Sequence, residues 1–167
     1  MPTLYRISNH CDLAGVGGEK TDGRWHTAAA GRRIVYLSEH PAVALLENLA
    51  NLHSNPALLP DKFRLLKVNY PDTLRPQPLQ PPLPEDWRVH QSATRATGND
   101  WLAGLTGVLL MVPSVPSPES FNYLMNPLHP DAGKVKIEWC KWFGYDRRLF
   151  RLGHPPPNPP ALSSDLK

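Results

Sequence analysis

Proline is the residue that most limits this chain. There are 20 prolines among 167 residues. A proline inside a helix or an inner strand removes a backbone hydrogen bond and crowds its neighbours. Many fall in two stretches, PDTLRPQPLQPPLP over 71–84 and HPPPNPPALSSDLK over 154–167. The first reads as an extended connection between core elements. The second reads as a disordered tail. The chain therefore divides into one folded domain, residues 1–153, and a tail, residues 154–167.

What remains between the prolines predicts short strands and few helices. Residues 5–7 and 34–37 read as short strands. Residues 12–23 hold glycines at 15, 17, 18 and 23 and predict a loop. A helix is expected over 39–53, capped by Ser38, with Pro41 in its first turn. Its apolar stripe would be Ala42, Leu45, Leu46, Leu49 and Leu52. Residues 64–70 predict a strand with Leu66, Val68 and Tyr70 on one face. Residues 87–104 predict a segment containing a helix. Residues 108–112 form a buried-type strand, 114–131 a loop-rich stretch, and 134–139 a half-buried strand. The pattern is that of an α+β fold.

Hydrophobic residues make up 41% and charged residues 20%, enough for one core. The net charge is +3, with a pI near 9.0. That is milder than the basic stripe of a dedicated nucleic-acid binder, so no direct nucleic-acid contact is expected. A phosphate-bearing small molecule needs only two or three well-placed cations. Cys11 and Cys140 are too few and too far apart for a disulfide framework, and read as reduced thiols of a cytoplasmic protein. The N-terminus has no secretory pattern, and the apolar run 101–113 is too short to span a bilayer.

Several residues could carry chemistry. Glu47 lies off the expected leucine stripe, near Val43, Ala44, Ala50 and Asn51. It is either a solvated side chain or a carboxylate turned into a cleft, and no Lys or Arg between positions 42 and 55 offers it a helical salt bridge. Arg6, between apolar neighbours, and Arg24, after Gly23, are suited to a two-point grip on phosphate. Tyr36 is either a core tyrosine or an aromatic platform for a base. Ser114 follows a buried run but lacks the surroundings of a hydrolase nucleophile. Asn122 and Asn126 sit where short polar side chains brace backbone. The GVGG run has neither dinucleotide-fingerprint nor Walker spacing. The seven histidines show no metal-binding spacing, and no metal is expected.

Taken in order, YRI, DLAGVGG, GRW, VYLSEHPAVALLE, VPS, NYLMNPLHPD and YDRRL resemble the RES-domain family from about residue 4 to residue 151. The spacing of Tyr36 and Glu47 across an Ala-rich stretch is the most specific part. The resemblance implies an ADP-ribosyltransferase-like fold, a mixed, split β core with a few flanking helices and a cleft for NAD. It implies the toxin of a type II toxin–antitoxin pair, with an Xre-type antitoxin and a homodimer within the complex. NAD would be a substrate, with no prosthetic group. Carried over by position, Glu47, Arg24 and Ser114 would be catalytic. Arg6, Arg24, Tyr36, Ser114 and Asn126 would bind the dinucleotide. The sequence departs from the family pattern at His26, often Asn, at Gly18, often Ala, and in a longer turn over 27–33. Three activities remain open: NAD cleavage by hydrolysis or phosphorolysis, ADP-ribosyl transfer to a protein, and a non-enzymatic or RNA-directed toxin.

Overall fold

The computed structural model describes residues 1–51, 61–146 and 148–149. The elements are β1 (Thr3–Ile7), β2 (Val35–Ser38), α1 (Pro41–Asn51), β3 (Lys62–Asn69), β4 (Gln77–Pro78), α2 (Gln91–Gly104), β5 (Leu109–Pro113), β6 (Phe121–Met125) and β7 (Lys136–Gly144). A 3-10 turn covers Val16–Glu19 in the glycine loop. The strands form one seven-stranded sheet in the order β4-β5-β6-β2-β1-β3-β7. Only β4 and β5 run parallel. The fold is α+β with a mixed sheet, as the pattern of short strands predicts. The tail, residues 154–167, lies outside the described residues.

The sheet has a seam. β1 and β2 share a single register pair, Tyr5 with Ser38, whereas β1 and β3 share five. β2 and β6 share four, including Ser38 with Asn122. On one face Leu4, Val35, Leu37, Leu66, Val68, Leu109 and Met125 form a core. The alternating positions Leu110, Val112 and Leu124 face the other way and pack with Trp25, Trp87, Trp101 and Leu102. Tyr36 and Ser38 alternate with Val35 and Leu37, so they share this second face.

Helix α1 corrects the expected stripe. Val43 and Ala44 are its buried residues, each 5% exposed, while Leu46 is 42% exposed. Ala42 is exposed, and Leu45 and Leu49 are half-buried; position 52 lies outside the described residues. α1 packs against β1 and β2, and small residues at the contact let the backbones approach. The same side carries Glu47, Asn48 and Asn51 to the cleft. Ser38 does not cap the helix. It is still in β2, and its hydroxyl donates to Asn122. His40 takes the cap instead: its carbonyl accepts from Ala44 N–H and its Nδ1 from Ala42 N–H at 3.2 Å.

Two further expectations change. The stretch 114–131 contains β6, hidden in sequence because Asn122 interrupts its apolar alternation. The last strand runs on to Gly144 and forms a sheet edge. The fold brings Cys11 and Cys140 side by side, with Cα atoms 6.1 Å apart, within the range that a bridge can span. They are 129 residues apart in sequence. The order β1-β3-β7 brings the middle of β7, where Cys140 pairs with Leu66, beside the loop that follows β1, which separation along the chain could not show.

Candidate active site

A cavity of about 620 Å³ opens at the seam between β1 and β2. Its size is within the range of small-molecule sites. Glu47 reaches it from α1, Arg6 from β1, Tyr36 from β2 and Arg24 from the loop before β2.

The Glu47 carboxylate is held on one oxygen. Its Oε1 accepts from the Ser114 hydroxyl at 2.8 Å and from the Asn122 amide at 2.5 Å. Ser114 is 1% exposed and Asn122 8%. Ser114 is placed by the pairing of β5 with β6, its N–H donating to Ser120 O at 2.9 Å. Its hydroxyl oxygen also accepts from Ser117 N–H at 3.2 Å. With its one proton directed to Glu47, Ser114 keeps at most one lone pair for a ligand.

Tyr36 closes the opposite wall. Its hydroxyl accepts from Trp25 N–H at 3.2 Å and lies 2.8 Å from His26 Nδ1. Burial pushes that hydroxyl well above its ordinary pKa, with the Glu47 carboxylate adding to the rise; Trp25 N–H, Arg95 and Arg24 oppose it. Tyr36 therefore keeps its proton and donates it to His26. Burial holds the His26 pKa below its ordinary value, despite the Thr21 and Gly18 carbonyls and Asp22, which favour the charged form. The neutral ring then carries its proton on Nε2, a buried atom with the Thr21 and Gly18 carbonyls nearby but outside hydrogen-bonding geometry.

Arg24 and Arg6 supply positive charge. Arg24 is anchored through one guanidinium nitrogen, which donates to Arg88 O at 3.1 Å and Trp87 O at 3.4 Å. Its backbone is gripped by α2. Thr94 donates to Arg24 O at 2.7 Å, and Arg95 to Gly23 O at 2.9 Å. Asn99 accepts from Thr27 N–H at 3.1 Å. A Cβ at Gly98 would lie 1.8 Å from Trp25 O, so only glycine fits there. Arg6 donates to Asp12 O at 3.2 Å. Burial lowers its pKa from the ordinary arginine value, and the Asp12 charge offsets part of that.

The structure thus brings together Glu47, Ser114, Tyr36, Arg6 and Arg24. It does not bring Asn126. That side chain is 1% exposed, donates to Leu102 O at 3.0 Å and accepts from Leu128 N–H at 3.0 Å. It braces the turn after β6, and Asn122 is the asparagine that reaches the carboxylate. The two lie four residues apart, Asn122 within β6 and Asn126 just past its end, in a stretch that sequence reading took for a loop. Ser38, read from sequence as a helix cap, His26, read only as a departure from the family pattern, and the α2 residues Thr94, Arg95 and Asn99 were not read as site residues. The register of β2 against β6 is the only signal that links Ser38 to Asn122, and it is not visible along the chain. Among the described residues, no three His, Cys, Asp or Glu side chains gather as a metal site.

The RES domain family matches residues 3–149. A protein from Pseudomonas putida named Toxin Res is 42% identical over 147 residues, covering 88% of this chain and 99% of that protein. A protein from Sphingobium sp. named Prs ADP-ribosylating toxin is 35% identical over 145 residues, covering 84% of this chain and 88% of its own. Among solved structures, a chain of the Mycobacterium tuberculosis MbcT–MbcA toxin–antitoxin complex superposes with a TM-score of 0.68. It is 19% identical and covers 89% of this chain and 86% of that one. That likeness speaks for the fold alone.

Proposed function

The chain belongs to the RES-domain family, and from that footing we propose that it is the toxin of a type II toxin–antitoxin pair, acting in the cytoplasm by cleaving the nicotinamide–ribose bond of NAD. The observation that carries this reading is the carboxylate at the seam. Glu47 has Oε1 saturated by two donors and Oε2 left for a ligand. It shares its cavity with two arginines and a protonated tyrosine.

The chemistry asks for little more. When the bond between ribose C1′ and the nicotinamide nitrogen breaks, its electron pair goes to the ring, which leaves neutral. No general acid is needed, unlike the paired carboxylates of ordinary glycosidases. Positive charge develops on the ribose, and a fixed carboxylate stabilises it. Oε2 of Glu47 would orient the ribose hydroxyls and face that charge. Arg6 and Arg24 would hold the pyrophosphate, and Tyr36 would contact the nicotinamide side. Ser114, buried behind the cavity lining, would act by holding Glu47. A new bond then forms from C1′ to an acceptor oxygen, whose proton is released.

Water or phosphate as acceptor gives NAD degradation. A protein acceptor gives ADP-ribosylation, and the relative named Prs ADP-ribosylating toxin favours keeping that second reading. An unrestrained NAD consumer would harm its own cell, so an Xre-type antitoxin would cover the cleft. The toxin–antitoxin title of the structural neighbour supports such a partner, and a homodimer within that complex is part of the same proposal. Purified protein, freed of antitoxin, would be given labelled NAD with water alone, with inorganic phosphate, or with cell lysate. Free ADP-ribose, a phosphorylated product or labelled protein would each name the acceptor. Unchanged NAD in all three would overturn the reading.

A further inference from the structure

Glu47 is useful only if its free oxygen points one way, and the terminal torsion of a glutamate is broad. Something must fix it. Ser114 and Asn122 donate to the same oxygen, Oε1; a half-turn only exchanges two identical oxygens, so the pair of donors fixes the plane of the carboxylate and keeps its second oxygen at one position. Asn122 can do this only with its amide nitrogen toward Glu47. An ionised carboxylate accepts and never donates, so the NH₂ must face it. The amide oxygen then points the other way, to the Ser38 hydroxyl at 2.7 Å, which donates to it. Ser38 is 4% exposed, sits directly opposite Asn122 in the β2–β6 ladder, and makes no hydrogen bond to Glu47.

We propose that Ser38 and Asn122 are positioning residues for this cleavage: Ser38 sets the Asn122 amide, and Asn122 with Ser114 aims Oε2 of Glu47 at the ribose. The inference rests on the NAD-cleaving reading of the cleft and adds two residues to it. This relay also gives the thin β1–β2 seam a purpose. A strand fully paired at this point would fill the space that the ribose must occupy.

The test compares kcat and KM for NAD in Ser38→Ala, Ser38→Thr, Asn122→Ala and Glu47→Gln, with melting temperature recorded for each. Asn122→Ala is expected to lower kcat by about 10- to 100-fold, and Ser38→Ala by roughly 3- to 10-fold, with KM changed by less than about threefold. Ser38→Thr keeps the hydroxyl and should recover most of the loss. Ser38→Ala removes one oxygen, so it remains informative even where Asn122→Ala fails to fold. If Glu47→Gln is inactive while Ser38→Ala and Asn122→Ala keep wild-type kcat, the relay is wrong and the cleft assignment stands. A rise in KM at unchanged kcat would likewise overturn it, as would a Ser38→Thr variant no better than Ser38→Ala. If Glu47→Gln itself turns over NAD normally, the cleft assignment fails and takes the relay with it.

Discussion

Helices α1 and α2 both serve the cleft, but in opposite ways. α1 brings a carboxylate to it, that of Glu47, proposed above to face the ribose, on the side that packs against the sheet. α2 brings none. It holds the backbone of residues 23–27 through Thr94, Arg95, Gly98 and Asn99, and so fixes where Arg24 and His26 stand. One helix is judged by the charge it presents, the other by how rigidly it clamps. Variants in α1 and its partners should therefore lower kcat at nearly constant stability. Variants in α2 should lower stability and weaken NAD binding before they touch the chemical step.

The largest effect is expected at Glu47. Glu47→Gln keeps the shape and an acceptor for Ser114 and Asn122 but removes the charge. It should lower kcat by about 100- to 1,000-fold, with a melting temperature close to wild type, read by steady-state NAD loss and thermal denaturation. Ser114→Ala comes next. It removes one of two donors on Oε1 and should lower kcat by roughly 10- to 100-fold, as expected for a charge-assisted hydrogen bond. A comparable loss of stability instead would mark Ser114 as a framework residue and blur the contrast between the helices.

On the α2 side, Gly98→Ala forces a methyl group against the Trp25 carbonyl. It should destabilise the fold by about 1–3 kcal/mol or more, measured by urea unfolding, and raise KM for NAD. An unaltered unfolding midpoint would show that the clamp is looser than the geometry says. The smallest effect is expected at His26. Its folded-state pKa lies below the ordinary value, so the unfolded chain binds the proton more readily. Its contribution to stability is present above the ordinary histidine range, near pH 6.5, and is lost as the pH falls toward the lowered folded value. Melting temperatures at pH 7 and pH 5 should show a larger acid loss in wild type than in His26→Asn. Equal losses would remove His26 from the buried, neutral role.

The same two helices show what the sequence carried. Tyr36, Glu47 and the strand-to-helix run between them were legible because they are local: a short strand, a proline at the first helical turn and a glutamate without a helical cation. The ordering of motifs along the chain pointed to the family. The outward turn of Leu46 and the burial of Val43 and Ala44 in place of the leucine stripe were not legible, since Leu45, Leu46 and Leu49 have the spacing of a core face and only the sheet decides which side is covered. The role of α2 was also hidden. Thr94, Gly98 and Asn99 look unremarkable until Trp25 and Thr27 are packed against them. Asn122 was passed over for Asn126 because β6 was read as a loop, and without a strand there is no register to place Asn122 opposite Ser38. What the chain withheld is throughout a contact between distant segments.

A crystal structure of Glu47→Gln soaked with NAD would test the cleft most directly. The proposal requires the dinucleotide in the seam between β1 and β2, its nicotinamide riboside against residue 47 and its pyrophosphate between Arg6 and Arg24. NAD bound elsewhere, or in the seam with its adenosine end against residue 47, would contradict it.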